Sequence, residues 1–255
     1  MTQTITHTCA GCSAAFVGSP GELPPGWERT AQGLACGDCL SGQFHQRELP
    51  IAAAASTWER CETAVELLSG AYVDLADPDC SVVQPIDIAA GLRAPRFCGQ
   101  TRQFYTIAQH CCLVLRLVGP TARALGGEKG LQLRRCALMH DAAEAIIHDV
   151  TRPLKIQLPD YQRIERLFET RLATAIGWEW TEFRRVTVKR ADIAALAIEQ
   201  RDIKGSTDAW PIFDGLDREA LKSITIRRAW QPDEAQDRFL EAYADLFPTE
   251  ERLAA

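Results

Sequence analysis

The stretch Ala137-Leu138-Met139-His140-Asp141-Ala142-Ala143-Glu144 decides how this chain is read. A histidine followed directly by an aspartate, set into an apolar helical run, is costly to bury without a purpose. Leu133, Cys136, Ala137, Ile146 and Ile147 are spaced for one buried face and predict a helix from Leu131 to about His148. Neighbours on a helix point about 100° apart. His140 and Asp141 therefore meet at one ion only if it sits between their two faces, near the helix surface. Glu144 follows His140 by four residues and shares its face.

Working outward, the preceding helix offers a second imidazole in Ile107-Ala108-Gln109-His110, and a later helix offers a second carboxylate in Val188-Lys189-Arg190-Ala191-Asp192. Two His and two Asp supply mixed nitrogen and oxygen donors, suited to Mn, Fe, Co, Ni or Zn and poorly suited to Ca. Four protein ligands leave open positions on a six-coordinate ion, where water gains acidity and a phosphate oxygen can bind. Arg96 or Arg102 would share the neutralisation of phosphoryl charge. The rest of the pattern is helical with loops. Helices are predicted from about Thr106 to Val118, Tyr161 to Ile176, Glu182 to Arg201 and Asp233 to Leu246, with an irregular stretch over 69–100. A mainly α fold follows.

The order His110, His140-Asp141, Asp192 resembles that of the HD-domain metal-dependent phosphohydrolases, most closely the 5′-deoxynucleotidases and the related small phage-type nucleotide hydrolases. The matching segments are Arg96-Phe97, then Thr101 to His110, then His140-Asp141-Ala142-Ala143-Glu144 followed by Asp149-Val150-Thr151-Arg152-Pro153-Leu154-Lys155, and last Lys189-Arg190-Ala191-Asp192. The resemblance implies a helical bundle over 57–250 with His110, His140, Asp141 and Asp192 as metal ligands. It implies Glu144 as acid or base and Asp149 as an aid to the water or the leaving oxygen. It also implies Arg96 on phosphate and Phe97 near the nucleotide. The activity implied is release of phosphate from a dNMP or a dNTP. The acidic pair typical of (p)ppGpp hydrolases is absent.

Other readings stand beside these. Asp149 also suits a turn before Pro153, and Lys155 suits either a phosphate contact or solvent. His148 lies four residues after Glu144, but the family pattern has no ligand there. Cys98, Cys111, Cys112 and Cys136 read as small buried hydrophobes.

Residues 1–48 have a different texture: turn-rich, with Cys9-Ala10-Gly11-Cys12 and Cys36-Gly37-Asp38-Cys39. Two C-x-x-C pairs form the pattern of a tetrahedral four-thiolate zinc site, Cys9, Cys12, Cys36 and Cys39, in a zinc-ribbon-like module. So small a region has little core, and zinc would supply much of its folding energy. Trp27-Glu28-Arg29 and Gly33-Leu34-Ala35 are short enough for small strands, and 50–56 reads as a linker or helix start.

Composition narrows the partners. The net charge is −6 and no Lys/Arg-rich block occurs, which disfavours a nucleic-acid binder. Within 1–48, Glu22, Glu28, Asp38 and Glu48 outnumber Arg29 and Arg47, giving −2 before thiolates and zinc are counted. The rival reading, an adaptor that docks nucleic acid or protein through the ribbon, thus lacks its basic surface. No apolar run is long enough to span a membrane, and the N-terminus lacks a signal-peptide pattern. The expectation is a cytoplasmic enzyme with a nucleotide substrate and a possible homo-oligomeric state, its cysteines reduced or metal-bound.

Overall fold

The computed structural model describes residues 62–248 without a break, and before them 5–8, 15–18, 23, 28–30 and 33–35. The chain divides into two compact units, Met1–Ile51 and Ala52–Ala255. In the first, β1 (Ile5–Thr8) pairs antiparallel with β2 (Ala15–Gly18), Ile5 opposite Gly18. Likewise β3 (Glu28–Thr30) pairs with β4 (Gly33–Ala35), Glu28 opposite Ala35. Cys9, Cys12, Cys36 and Cys39 lie outside the described residues, as does the 50–56 linker.

The second unit is mainly helical. It opens with a hairpin that the helical pattern did not anticipate: β5 (Ala64–Glu66) against β6 (Tyr72–Asp74), with Val73 buried. Then come α1 (Pro85–Gly91), α2 (Ile107–Leu125), α3 (Gly127–Met139), α4 (Glu144–Ile147), α5 (Arg152–Lys155), α6 (Pro159–Ile176), α7 (Glu182–Glu199) and α8 (Pro232–Leu246). Helix α2 is central and packs on α3, α7 and α8. Its buried stripe of Ile107, Cys111, Val114 and Val118 meets Leu133 and Ala137 of α3, Ala195 and Ile198 of α7, and Phe239 of α8 in one core.

Several boundaries depart from the sequence pattern. The 69–100 stretch contains α1, because Pro85 at the first helical position starts a helix rather than breaking one. The reciprocal bonds of Gln84 and Asp87 cap it. Helix α2 passes the apparent stop at Gly119-Pro120 and ends at Leu125, because Val118 and Ala122 continue the buried stripe. The helix expected from Leu131 to His148 is two helices. Helix α3 stops at Met139, and the next residues close tighter bonds of the 3₁₀ kind: Ala142 N–H to Met139 O, Glu144 N–H to Asp141 O, Ile146 N–H to Ala143 O. In such a turn residues three apart eclipse, so Asp141 and Glu144 stack on one side. Gly91 backs this turn: a β-carbon there would stand 2.0 Å from the Ala145 carbonyl oxygen, so only glycine lets α1 abut α4. Among the described residues no helix is long and apolar enough to cross a membrane.

Candidate metal centre

His110 sits one turn into α2, where the Thr106 hydroxyl caps the helix by accepting from the Gln109 N–H. It is fully buried. His140 and Asp141 come from the tightened turn after α3, and Asp192 from the middle of α7. These separate stretches converge. His110 Nε2 lies 3.1 Å from His140 Nε2, 3.5 Å from Asp141 Oδ2 and 3.4 Å from Asp192 Oδ1. His140 Nε2 lies 3.2 Å from Asp141 Oδ2.

The outer nitrogens fix the inner ones. His140 Nδ1 faces the Ala137 carbonyl at 2.9 Å and His110 Nδ1 faces Glu199 Oε1 at 2.6 Å. A carbonyl only accepts, and a carboxylate held ionised does too, so each Nδ1 carries a proton and donates. If both rings were neutral, their Nε2 lone pairs would face each other across 3.1 Å, an arrangement that needs a proton or a cation between them. Ligands about 2.1 Å from one ion stand about 3.0–3.4 Å apart in octahedral or tetrahedral geometry. The observed 3.1–3.5 Å separations match, so this buried His/Asp cluster can hold a metal ion. Cys111 also approaches, since its sulfur, a His140 nitrogen and an Asp141 oxygen lie within 4.8 Å of one another. Burial and the Asp141 charge raise the Cys111 thiol far above its usual range, so it stands there as S–H.

The cluster is strongly polarised. Burial works against the Asp141 charge, but His140, His110 and Arg96 hold its carboxyl well below the usual carboxylate range. Asp192 behaves alike: burial opposes its ionisation, and His110, His140 and Lys189 outweigh it. Burial and Arg96 press His110 down, yet Glu199 and Asp192 hold it up at about 9. Arg96 is the fixed cation. Its Nε donates to Glu199 Oε2 at 3.1 Å, and its terminal nitrogens lie 3.4 Å from Asp141 and 3.6 Å from Asp192.

Glu199 and Tyr105 were not singled out from the sequence. Glu199 is completely buried at the end of α7 and accepts from His110, Arg96 and, at 3.0 Å, the Tyr105 hydroxyl. A signal existed: Glu199 follows Asp192 by seven residues, two helical turns on the same face, in an apolar run.

Glu144 is buried beside the cluster. Burial, Asp141 and Asp149 raise its carboxyl well above the usual range, and Oε2 has no hydrogen-bond partner among the described residues. Oε1 is 3.4 Å from Lys155 Nζ, which also binds Glu165 at 2.6 Å. Lys155 is therefore not a freely solvated lysine; half-buried, it bridges two carboxylates. A small pocket of about 120 Å³ opens here, lined by His140, Asp141, Glu144, Glu165, Arg166 and Glu169 among others.

The phosphate and nucleotide candidates separate. Arg96 joins the cluster, whereas Arg102 is exposed, packs over Gly205 and makes no ion pair among the described residues. The Phe97 ring lies 5.3 Å from the Arg96 guanidinium and 5.1 Å from Lys204 Nζ. Phe97, Cys98 and Gly99 all take positive φ, a strained run whose base is pinned where Arg96 N–H donates to Tyr105 O. Cys98 is exposed rather than core, because this left-handed turn carries it outward; Cys111 and Cys136 are buried and Cys112 half-buried. His148 is exposed at positive φ.

The fold is mainly helical, and its buried His/Asp/Cys cluster could hold a metal ion. No known family profile matches the chain. The uncharacterized protein YfdR of Escherichia coli K12 is 34% identical over 178 residues, spanning 69% of this chain and 89% of YfdR. The uncharacterized protein RCAP_rcc00048 of Rhodobacter capsulatus is 30% identical over 189 residues, with the same two shares, 69% and 89%. The chain belongs to the family that these proteins represent.

Proposed function

We propose that the helical unit is an HD-type metal-dependent phosphohydrolase acting on (deoxy)nucleotides, with His110, His140, Asp141 and Asp192 as ligands. The observation that carries this reading is the pair of facing Nε2 atoms, 3.1 Å apart and flanked by two ionised carboxylates. The donor set suits Mn, Fe, Co, Ni or Zn. Such an ion supplies Lewis acidity, making water a better nucleophile near neutral pH and drawing charge from a phosphate.

The chain's own groups supply the rest. Arg96, always charged and turned toward the cluster, meets phosphoryl oxygens. Glu144, with its raised pKa and open Oε2, serves as the acid or base that exchanges a proton with the reacting water or the leaving oxygen. Asp149, close enough for its charge to raise Glu144, assists at the leaving 5′-oxygen. Phe97 offers a flat apolar face beside Arg96 to the sugar or base. The substrate is a dNMP or dNTP. In the N-terminal unit, Cys9, Cys12, Cys36 and Cys39 bind a structural zinc; the spacing of the two pairs supports this, one between β1 and β2 and the other directly after β4.

The test is a metal assay joined to a phosphate-release screen. Full-length protein is offered dNMPs, NMPs, dNTPs and an aryl phosphate with Mn, Co, Mg and Ni in turn. Nucleotide-dependent release that vanishes in Asp141→Ala supports the enzyme. No turnover, together with tight DNA binding, sinks it in favour of the ribbon-based adaptor.

A further inference from the structure

We propose that Glu199 is a positioning residue that selects the metal-binding tautomer of His110 and holds Arg96 in register with it; this rests on the metal reading above. Its two oxygens divide the work. Oε1 lies 2.6 Å from His110 Nδ1 and accepts from the Tyr105 hydroxyl at 3.0 Å, while Oε2 accepts from Arg96 Nε at 3.1 Å. All three neighbours act as donors, and the carboxylate is wholly buried, so no water substitutes for any of these bonds. With Nδ1 protonated, Nε2 of the neutral ring is the only nitrogen left to bind an ion, and it faces His140 and the two aspartates.

The arrangement predicts an unusual result for the near-isosteric Glu199→Gln. Arg96 Nε can only donate, so the new amide oxygen turns to it. The amide N–H then points at His110 Nδ1, which must accept. The ring proton moves to Nε2, where it reaches His140 Nε2 at 3.1 Å and closes the cluster without an ion. A carboxylate kept only for packing would behave otherwise: its amide would leave the tautomer alone.

Mn(II) is the probe, because soft thiolates do not favour it and the cysteine unit does not compete. Titration of full-length Glu199→Gln is expected to show affinity lower by about 10- to 100-fold. In the metal-free variant at alkaline pH, nitrogen NMR should report neutral His110 with Nε2 protonated and Nδ1 bare. Unchanged Mn(II) affinity, or reduced affinity with the wild-type tautomer, overturns the proposal. Wild-type protein gives a second test that does not depend on the variant folding. Metal-free at alkaline pH, its neutral His110 must carry the proton on Nδ1, and an Nε2–H signal overturns the proposal. Absence of Mn(II) binding in wild type sinks the metal reading itself, a separate outcome.

Discussion

Two buried carboxylates flank the cluster, and they differ in every respect that matters. Glu199 accepts from three donors, and despite its burial His110 and Arg96 hold its carboxyl below the usual range. Glu144 keeps a distant contact to Lys155 and one oxygen with no partner among the described residues, and burial drives its carboxyl up. The first is held charged and still; the second is held toward its protonated form, which on the proposed reading suits it to move a proton. Paired carboxylates whose surroundings push them apart are how one site separates support from proton transfer.

The contrast breaks most sharply on activity. Glu144→Gln is expected to lower kcat by about 10²–10⁴-fold while leaving Mn(II) affinity near wild type. A parallel loss of metal would merge the two roles and end the distinction.

A second effect concerns pH and falls on the Glu199 side. His110, held up to about 9, carries an extra proton at neutral pH that must leave before it ligates. Mn(II) affinity should therefore fall about tenfold per unit as pH drops below that value, and calorimetry in buffers of different ionisation enthalpy should show about one proton released per ion. In the metal-free protein the same shift reverses its consequence. The stabilisation is complete below the ordinary histidine value of 6.5 and is lost as pH rises through about 9, so Tm should fall over that interval. A flat affinity profile would dissociate Glu199 from ion binding.

A third effect is steric. Gly91→Ala places a methyl against the Ala145 carbonyl, and relief requires α4 to shift, carrying Glu144 with it. A loss of about 1–3 kcal/mol in denaturant unfolding is expected, with kcat falling more than metal affinity. The smallest effect is a gain. Metal-free Glu144→Gln should unfold about 1–3 kcal/mol harder at neutral pH, since folding no longer has to force a proton onto a buried carboxylate. Because the folded pKa of Glu144 is raised, its cost appears as pH climbs above the ordinary 4.5, and below that value the variant should match wild type.

Much of this site was legible in the chain because its chemistry is concentrated in residue types that helices rarely bury. His110, His140, Asp141 and Asp192 announce themselves as polar groups in apolar runs, and they meet. What was not legible depends on contacts between remote segments. Lys155 could be solvated or functional until Glu165, on the next helix, was seen to hold it. Glu199 looks like any helix-end glutamate until Arg96, from a loop about a hundred residues earlier, turns onto it. The break after Met139 was hidden because Ala142 and Ala143 favour helix; the tighter turn follows from α1 pressing at Gly91 and from the side chains drawn to the cluster. Two prolines sit in helices where the pattern placed an irregular stretch or a helix end: Pro85 starts α1 and Pro120 lies within α2.

The α2–α3 hairpin has a kinetic consequence. Its two arms carry His110 and His140 only thirty residues apart in sequence, so the imidazole pair belongs to a local unit that can close early in folding. Asp192 arrives from much farther along the chain, after a slower loop closure. On the proposed metal reading, an ion captured by the half-built site would tether the incoming helix and thereby speed assembly, and the order in which metal and chain are mixed would then alter the refolding rate.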